Sequence, residues 1–390
     1  MLVPKLRFKE FHNKWIKLKL KDISNDISYG MNSAATDFDG INKYIRITDI
    51  NEDTSLYNNS NPVSPSGYLD DKFLLQENDI LFARTGASTG KTYLYNKDDG
   101  KLYFAGFLIR ASIKKDYNSR FVFEQTKLNK YNNWVKIMSM RSGQPGINST
   151  EYGNYEISIT NSEEQEKIAK FVSLLDKKIE LQQRKIEALK IYKKGLVSHI
   201  FKNISSTKKL KNIVTFQNGI GYENLVDVTG NYNLISLNSI TIDGKLNKFM
   251  KKIKSDLPVS TLKKNDIVII MSDIGHGDFL GVSAIIPDDN KYVLNQRVGL
   301  LRITDNTIPQ YLLYAINNLQ SYFKKYGQGS SQLNLSKGDI LNVNIPYIDI
   351  YSQKKLSDFF ILFDKKISSA NFKLENLKSL RKSLLQQMFI

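Results

Sequence analysis

The spacing most suggestive of chemistry in this chain lies in Gly86-Ala-Ser-Thr-Gly-Lys-Thr92. A nucleotide-binding P-loop needs G-x-x-x-x-G-K-[ST] between a strand and a helix, so that backbone amides cradle the phosphates. Here the first glycine is one residue too close, and Thr85 holds the place it should occupy. The segment Thr92-Tyr-Leu-Tyr-Asn96, where a P-loop would begin its helix, has the pattern of a strand. A P-loop NTPase is therefore a weak alternative. The expected role is a Gly-rich loop that brings Arg84, Thr85, Gly86, Ser88, Thr89, Lys91 and its backbone amides to phosphates or base edges of a nucleic acid. The plainer alternative is a structural turn with a solvated lysine. In the second half Ser272-Asp-Ile-Gly-His-Gly-Asp278 stands at the corresponding place without Lys-Thr, which makes Ser272 and His276 the matching candidates.

Ser142-Gly-Gln144 and Ser330-Ser-Gln332 form a second set. Glutamine can bond adenine through two hydrogen bonds, and serine can reach phosphate. Gln144 and Gln332 can equally brace a loop against its domain. The three histidines, His12, His199 and His276, are scattered without metal-ligand spacing, so no metal is expected. No Asn/Asp-Pro-Pro-Tyr/Phe methyltransferase motif and no helicase motif set is present, so no catalysis is expected of the chain alone.

Charge narrows the partner. Lys and Arg number 56 against 39 Asp and Glu, a net +17, which favours a polyanion. An AT-rich coding bias toward lysine gives the same excess without meaning. The absence of cysteine excludes disulfides and thiolate zinc sites. With no secretory signal and no apolar run near the roughly 20 residues a membrane span needs, a cytoplasmic protein is expected.

The elements that must position these residues come in duplicate. Glu163–Phe201 and Tyr351–Phe389, offset by 188 residues, are identical at 15 of 39 positions without a gap. A 4-3 spacing sets Ile168, Val172, Leu175, Ile179, Gln182, Ile186, Leu189, Lys193, Leu196 and Ile200 on one seam of the first. Leu356, Phe360, Phe363, Ile367, Ala370, Leu374, Leu377, Arg381, Leu384 and Met388 line the second. This is coiled-coil periodicity over a rod of roughly 58 Å. Lys193 and Arg381 interrupt the seam at equivalent places, where pairing is expected to relax. Each helix comes after a strand-rich stretch, with one helix predicted over 120–140 in the first. Leu20-Lys-Asp-Ile23 recurs as Leu210-Lys-Asn-Ile213, Asn78-Asp-Ile80 as Asn265-Asp-Ile267, Leu108-Ile-Arg110 as Leu300-Leu-Arg302, and Tyr44 and Ile47 as Tyr232 and Ile235. Lys202–Lys209 has the composition of a linker.

The expected fold is α+β: two mixed α/β domains, 1–162 and 204–350, separated by helices 163–203 and 351–390. The helices pair within the chain as an antiparallel coiled coil about a pseudo-two-fold axis. Off-seam apolar residues Phe171, Leu174, Tyr192 and Leu362 leave a wider face for a partner.

The whole chain resembles the specificity subunit of type I restriction–modification systems. The resemblance rests on the domain–helix–domain–helix order and on the pattern EQxKIAxFxSLLDxKIxLxxRKIExLKxxKKGLxxxIF at 165–201 with its echo at 353–389. It also rests on Val3-Pro-Lys-Leu-Arg-Phe8, Asp79-Ile-Leu-Phe-Ala-Arg-Thr-Gly86 and Ser142-Gly-Gln144. It implies two target-recognition domains, each reading half of a split site in double-stranded DNA. It implies helices that set the spacer and dock two methyltransferase subunits, with two restriction subunits in the full complex. S-adenosylmethionine, ATP and Mg would then sit on those partners, and none on this chain. Residues shared by both halves, Gln144 and Gln332 among them, suit structural or phosphate roles better than reading two different half-sites. Base reading is expected in loops 24–44, 51–75 and 84–104 and their counterparts. A free-standing coiled-coil DNA-binding protein is the alternative.

Overall fold

Asn78 and Asn265 both adopt a left-handed backbone, with φ of 75° and 69°, at the tight turn that launches the central strand of each half. Asparagine tolerates this region better than most residues. The aspartate next in the chain closes the turn. Asp79 accepts from the Gln76 amide at 2.9 Å and Asp266 from the Lys263 amide at 2.7 Å.

The computed structural model describes residues 3–52, 54–140, 145–254, 260–329 and 332–390. It divides into two units, Met1–Gln183 with Phe372–Ile390, and Arg184–Asn371. In the first unit the strands Ser24–Tyr29, Leu108–Ile113, Asp79–Ala83 and Thr92–Leu94 form an antiparallel sheet in that order. In the second, Val214–Asn218, Val298–Ile303, Ile267–Ile270 and Ser283–Ile285 repeat it. Asp79–Ala83 and Ile267–Ile270 are buried on both faces, which accounts for their unbroken apolar runs. A short parallel pair joins Lys43–Ile45 to Leu102–Phe104 and, in the other unit, Tyr232–Ile235 to Tyr292–Leu294.

The ladders correct two sequence correspondences. Ile45 pairs with Phe104 as Ile235 pairs with Leu294, so Ile45, not Ile47, is the counterpart of Ile235. Arg110 lies across from Leu81, the place Leu300 takes beside Val268, so Arg110 and Arg302 differ by two positions. A shift of two keeps a side chain on the same sheet face. Both arginines accordingly meet the turn aspartate: Arg302 makes two bonds to Asp266 at 2.6 and 2.8 Å, while Arg110 lies 3.9 Å from Asp79.

The helix expected over 120–140 is two helices, Ser119–Gln125 and Asn129–Ser139. The Thr126 hydroxyl donates to the Phe123 carbonyl, and Lys127 turns aside to reach Ser55 and Thr92. The stretch expected as a linker holds a strand, Thr207–Lys209, because Asn344–Pro346 supplies its partner.

The long helices span Ser162–Lys202 and Ile350–Met388. Asn161 and Asp349 cap them, accepting from the amides of Glu164 and Ser352. Within the first unit, Ile168, Ala169 and Val172 share one core with Leu385, Met388 and Phe389. Within the second, Val197 and Phe201 share a core with Phe360, and Tyr192 stacks near Phe363. In each unit the first helix ascends as the second descends, so the paired segments run antiparallel. The seam residues Ile168, Val172, Ile186, Phe360, Ile367 and Leu374 are buried; Leu175, Ile179, Leu189, Leu196, Leu356, Phe363, Leu377 and Leu384 are half-buried.

The two seam interruptions are ion pairs rather than relaxed contacts. Arg381 bonds both oxygens of Asp176, and Lys193 lies 2.7 Å from Asp364. Each charge on one helix is met by a carboxylate on the other. Phe171 is not part of a free face, since it packs edge-on against Phe8 with ring centroids 5.9 Å apart.

Candidate nucleic-acid interface

Glycine sets the frame of the candidate surface. A Cβ on Gly30 would lie 2.2 Å from the Ala105 carbonyl oxygen, and one on Gly219 1.9 Å from that of Asn295. Only glycine allows so close an approach. It brings the end of the edge strand, Tyr29 or Asn218, beside the turn that begins after Ala105 or Asn295.

The Gly86–Thr92 stretch is not a phosphate cradle. Gly86–Ser88 is a single 3-10 turn and Thr92–Leu94 a strand, so no helix follows it. The amides of Gly86, Thr89, Gly90 and Lys91 donate to Pro145, Gly86, Ala83 and Ser88 carbonyls, which removes them from contact with a ligand. The Thr89 hydroxyl closes back on the Gly86 carbonyl at 2.8 Å. Lys91 is half-buried and 3.3 Å from Glu52. Thr92 is buried.

The start of the Gly-rich loop meets Gly146 and Ile147 in space. Thr85 bridges Gly146, and Ile147 donates to the Arg84 carbonyl. In the second unit Ser272–Asp273 pairs with Leu333–Asn334 in the same way. Ser142, Gln144 and Ser330 lie outside the described residues. Ser272 is buried and its hydroxyl donates to Asn334 Oδ1 at 2.6 Å, so in this structure it serves the turn. Gln332 donates to the same oxygen and braces the turn. His276 is exposed in the loop between.

Arg84 differs from all of these. It is half-buried, its Nε is enclosed, and its guanidinium donates no hydrogen bond to any described residue. It lies over the Tyr29 ring, 4.7 Å from the centroid. Burial raises the Tyr29 phenol, but the Ser149 amide donating to its oxygen and the Arg84 charge outweigh this and hold it below its ordinary value. Arg84 borders a cleft of about 680 Å³ whose wall includes Tyr29, Asn32, Arg46, Thr48 and Phe107, and a smaller one of about 240 Å³ toward Asn148 and Glu151. The exposed Phe107 stands at the rim. Arg46 and Phe107 were missed in the sequence because they lie far from Arg84 along the chain, while Tyr29 fell inside the stretch 24–44 expected to read bases. The one local hint was the glycine after Tyr29 and after Asn218.

The paired basic residues Lys177, Lys178, Lys365 and Lys366 are exposed and form no ion pair among the described residues. Among those residues no group of three His, Asp or Glu side chains is arranged to hold a metal, and no helix is long and apolar enough to cross a membrane.

A family model described as the type I restriction modification DNA specificity domain matches residues 12–191 and again residues 205–379. The chain belongs to this family. It is 22% identical over 346 residues to the type I restriction enzyme MjaVIII specificity subunit of Methanocaldococcus jannaschii, covering 80% of this chain and 79% of that one. A putative MjaX specificity subunit of the same organism is 27% identical over 214 residues, 52% and 49% of the respective chains. The fold is that of the type I restriction–modification S subunit from M. genitalium (TM-score 0.57, 18% identity, 100% and 99% covered). A chain from work on complex assembly and conformational transition of the type I R-M system gives a TM-score of 0.64 at 15% identity, with 96% and 97% covered. Each half of this specificity subunit thus holds one DNA specificity domain, built on one shared framework.

Proposed function

We propose that the chain is the sequence-reading subunit of a type I restriction–modification enzyme, each domain recognising one half of a two-part DNA site. The observation that carries this is the same sheet occurring twice, with the side chains at its loop end differing between copies. The shared frame supports a common way of meeting DNA, and the differing loops support two half-sites. The chain contributes recognition; methyl transfer, with S-adenosylmethionine, belongs to two methyltransferase subunits. ATP and Mg belong with two restriction subunits in the full complex.

The helices are the proposed spacer ruler and docking posts. Leu174 and Leu362, equivalent by the 188-residue offset, are 59% and 62% exposed, and so are Tyr192 and Leu380 at 60% and 48%. Exposed apolar side chains at repeat-equivalent places favour two copies of one partner.

Coexpression with the cognate methyltransferase, followed by modification-sensitive sequencing of host DNA, tests the reading. Adenine methylation at a two-part motif is expected. Replacing residues 1–162 should change one half-site only, and four residues inserted near Gln182 should lengthen the spacer with both half-sites kept. A methylome with only continuous motifs overturns the proposal.

A further inference from the structure

The two halves differ in chemistry at the loop end of their matching sheets. The Arg84 amide donates to the Phe107 carbonyl at 3.1 Å, and the Met271 amide to that of Arg297 at 2.9 Å. Tyr29 lies across from Ile109, and Asn218 across from Gly299, at the same step of the equivalent ladder. Tyr29, Arg84 and Phe107 therefore take the ladder and hydrogen-bond positions of Asn218, Met271 and Arg297, with the backbone left-handed at Arg297 but not at Phe107. Neighbours on the same strands change little: Leu81 and Phe82 stand where Val268 and Ile269 stand, and all four are buried.

A guanidinium offers donors only, so an Arg84 without a partner among the described residues is free to meet an acceptor from outside. The Nε is enclosed and out of a ligand's reach, so any acceptor must meet the two terminal nitrogens. The Tyr29 ring, 4.7 Å from the guanidinium carbon, limits where the fork can lie, and an arginine fork suits a flat, two-acceptor target. Two DNA groups have that chemistry: a phosphate, and the O6/N7 edge of guanine in the major groove. A phosphate contact carries no sequence information and would serve both halves alike. Position 84, however, is arginine in one half and methionine in the other.

We infer that Arg84, held over Tyr29 beside Phe107, reads a guanine in the half-site of the first domain. The Asn218–Met271–Arg297 set gives the second domain a different preference. This rests on the recognition role proposed above and assigns it to one side chain.

The test uses the full chain coexpressed with its methyltransferase subunits, with host DNA sequenced for methylation. In Arg84→Gln, one guanine of one half-site should lose its preference by roughly 10- to 100-fold, with adenine gaining. The other half-site and the spacer should stay as they are. In Arg84→Lys the same guanine should persist with weaker discrimination. Transplanting the pair as Asn218→Tyr and Met271→Arg, with the left-handed Arg297 kept, should introduce a guanine into the second half-site, which decides the matter even if Arg84→Gln does not fold. An unchanged motif in these variants, with methylation merely lowered at every site, would mean a phosphate contact and overturn the inference. A wild-type methylome without a two-part motif would instead remove the recognition role itself.

Discussion

Arg381 of the second helix bonds Asp176 of the first, and the position 188 residues before Arg381 is Lys193, which bonds the counterpart of Asp176, Asp364. The two ion pairs are one contact made twice, but their settings differ. Arg381 also reaches Glu124 at 3.0 and 3.1 Å, and Glu124 is fully buried with Arg120 as its other partner at 2.6 Å. Asp364 instead accepts from the Tyr314 hydroxyl at 2.5 Å.

Removing Arg381 should therefore hurt more than removing Lys193. Arg381→Met leaves a buried Glu124 with one cation, and breaking such a buried arrangement costs about 3 kcal/mol. Lys193→Met leaves a partly exposed Asp364 still bonded to a phenol, which should cost about 1 kcal/mol. Urea unfolding gives the two losses. Hydrogen exchange should place the larger at residues 119–125 and 372–390. Equal losses would mean that Glu124 does not matter to the pair.

Gln165 and Gln353 explain why glutamine recurs at the start of both helices. Gln165 accepts from the Asn118 amide at 3.0 Å and donates to the Thr160 carbonyl at 2.7 Å. Gln353 accepts from the Ile308 amide at 3.0 Å and donates to the Ile348 carbonyl at 2.8 Å. Both are buried, so truncation strands a backbone donor and an acceptor. Gln165→Ala and Gln353→Ala should each lower the unfolding free energy by about 2–3 kcal/mol. Replacement by glutamate, which keeps the acceptor but not the donor, should not restore it.

The helices, their antiparallel segments and the repeated sheets were legible because a 4-3 spacing and an ungapped offset are local properties of sequence. The roles of Lys193 and Arg381 were not. Their partners sit on the other helix, and an isolated charge on an apolar seam looks like a fault until the carboxylate facing it is known. Ser272 shows the same limit: its type suited phosphate, but burial against Asn334 decides its role. The two-residue offset between Arg110 and Arg302 was hidden because alternate strand residues share a face. Phe107 gave no sequence signal and Tyr29 only the glycine after it, since the sheet alone brings them to Arg84.

The left-handed asparagines should tolerate glycine unequally. A residue other than Gly or Asn at such a φ costs roughly 1–2 kcal/mol, so Asn265→Ala should destabilise by about that much while Asn265→Gly is nearly neutral. Asn78 also accepts from the Ser119 hydroxyl at 2.8 Å. Asn78→Gly should therefore still lose about 1 kcal/mol. Thermal unfolding of these variants, with Asn78→Ala as the fourth, separates backbone strain from the lost hydrogen bond.

Lys127 should impose a pH dependence on the first domain. It is half-buried overall, with its ammonium 2.6 Å from both Ser55 Oγ and Thr92 Oγ1 and 4.2 Å from the Phe123 ring centroid. Desolvation lowers its pKa from 10.5 to about 7; Glu124 opposes this, while Arg381 and Arg120 add to it. A cation with a depressed pKa penalises the folded state while it is protonated. Below about pH 7 both states carry the proton and the penalty is complete. From there to about pH 10.5 the unfolded chain binds more protons, so stability rises with pH. Lys127→Met lacks this term. The unfolding free energy of the wild type minus that of Lys127→Met should climb by up to about 1.4 kcal/mol per pH unit across that window, less where solvent screens the charge. Urea unfolding of both proteins from pH 6 to 10 measures it, and a difference that stays flat would show that the ammonium is solvated.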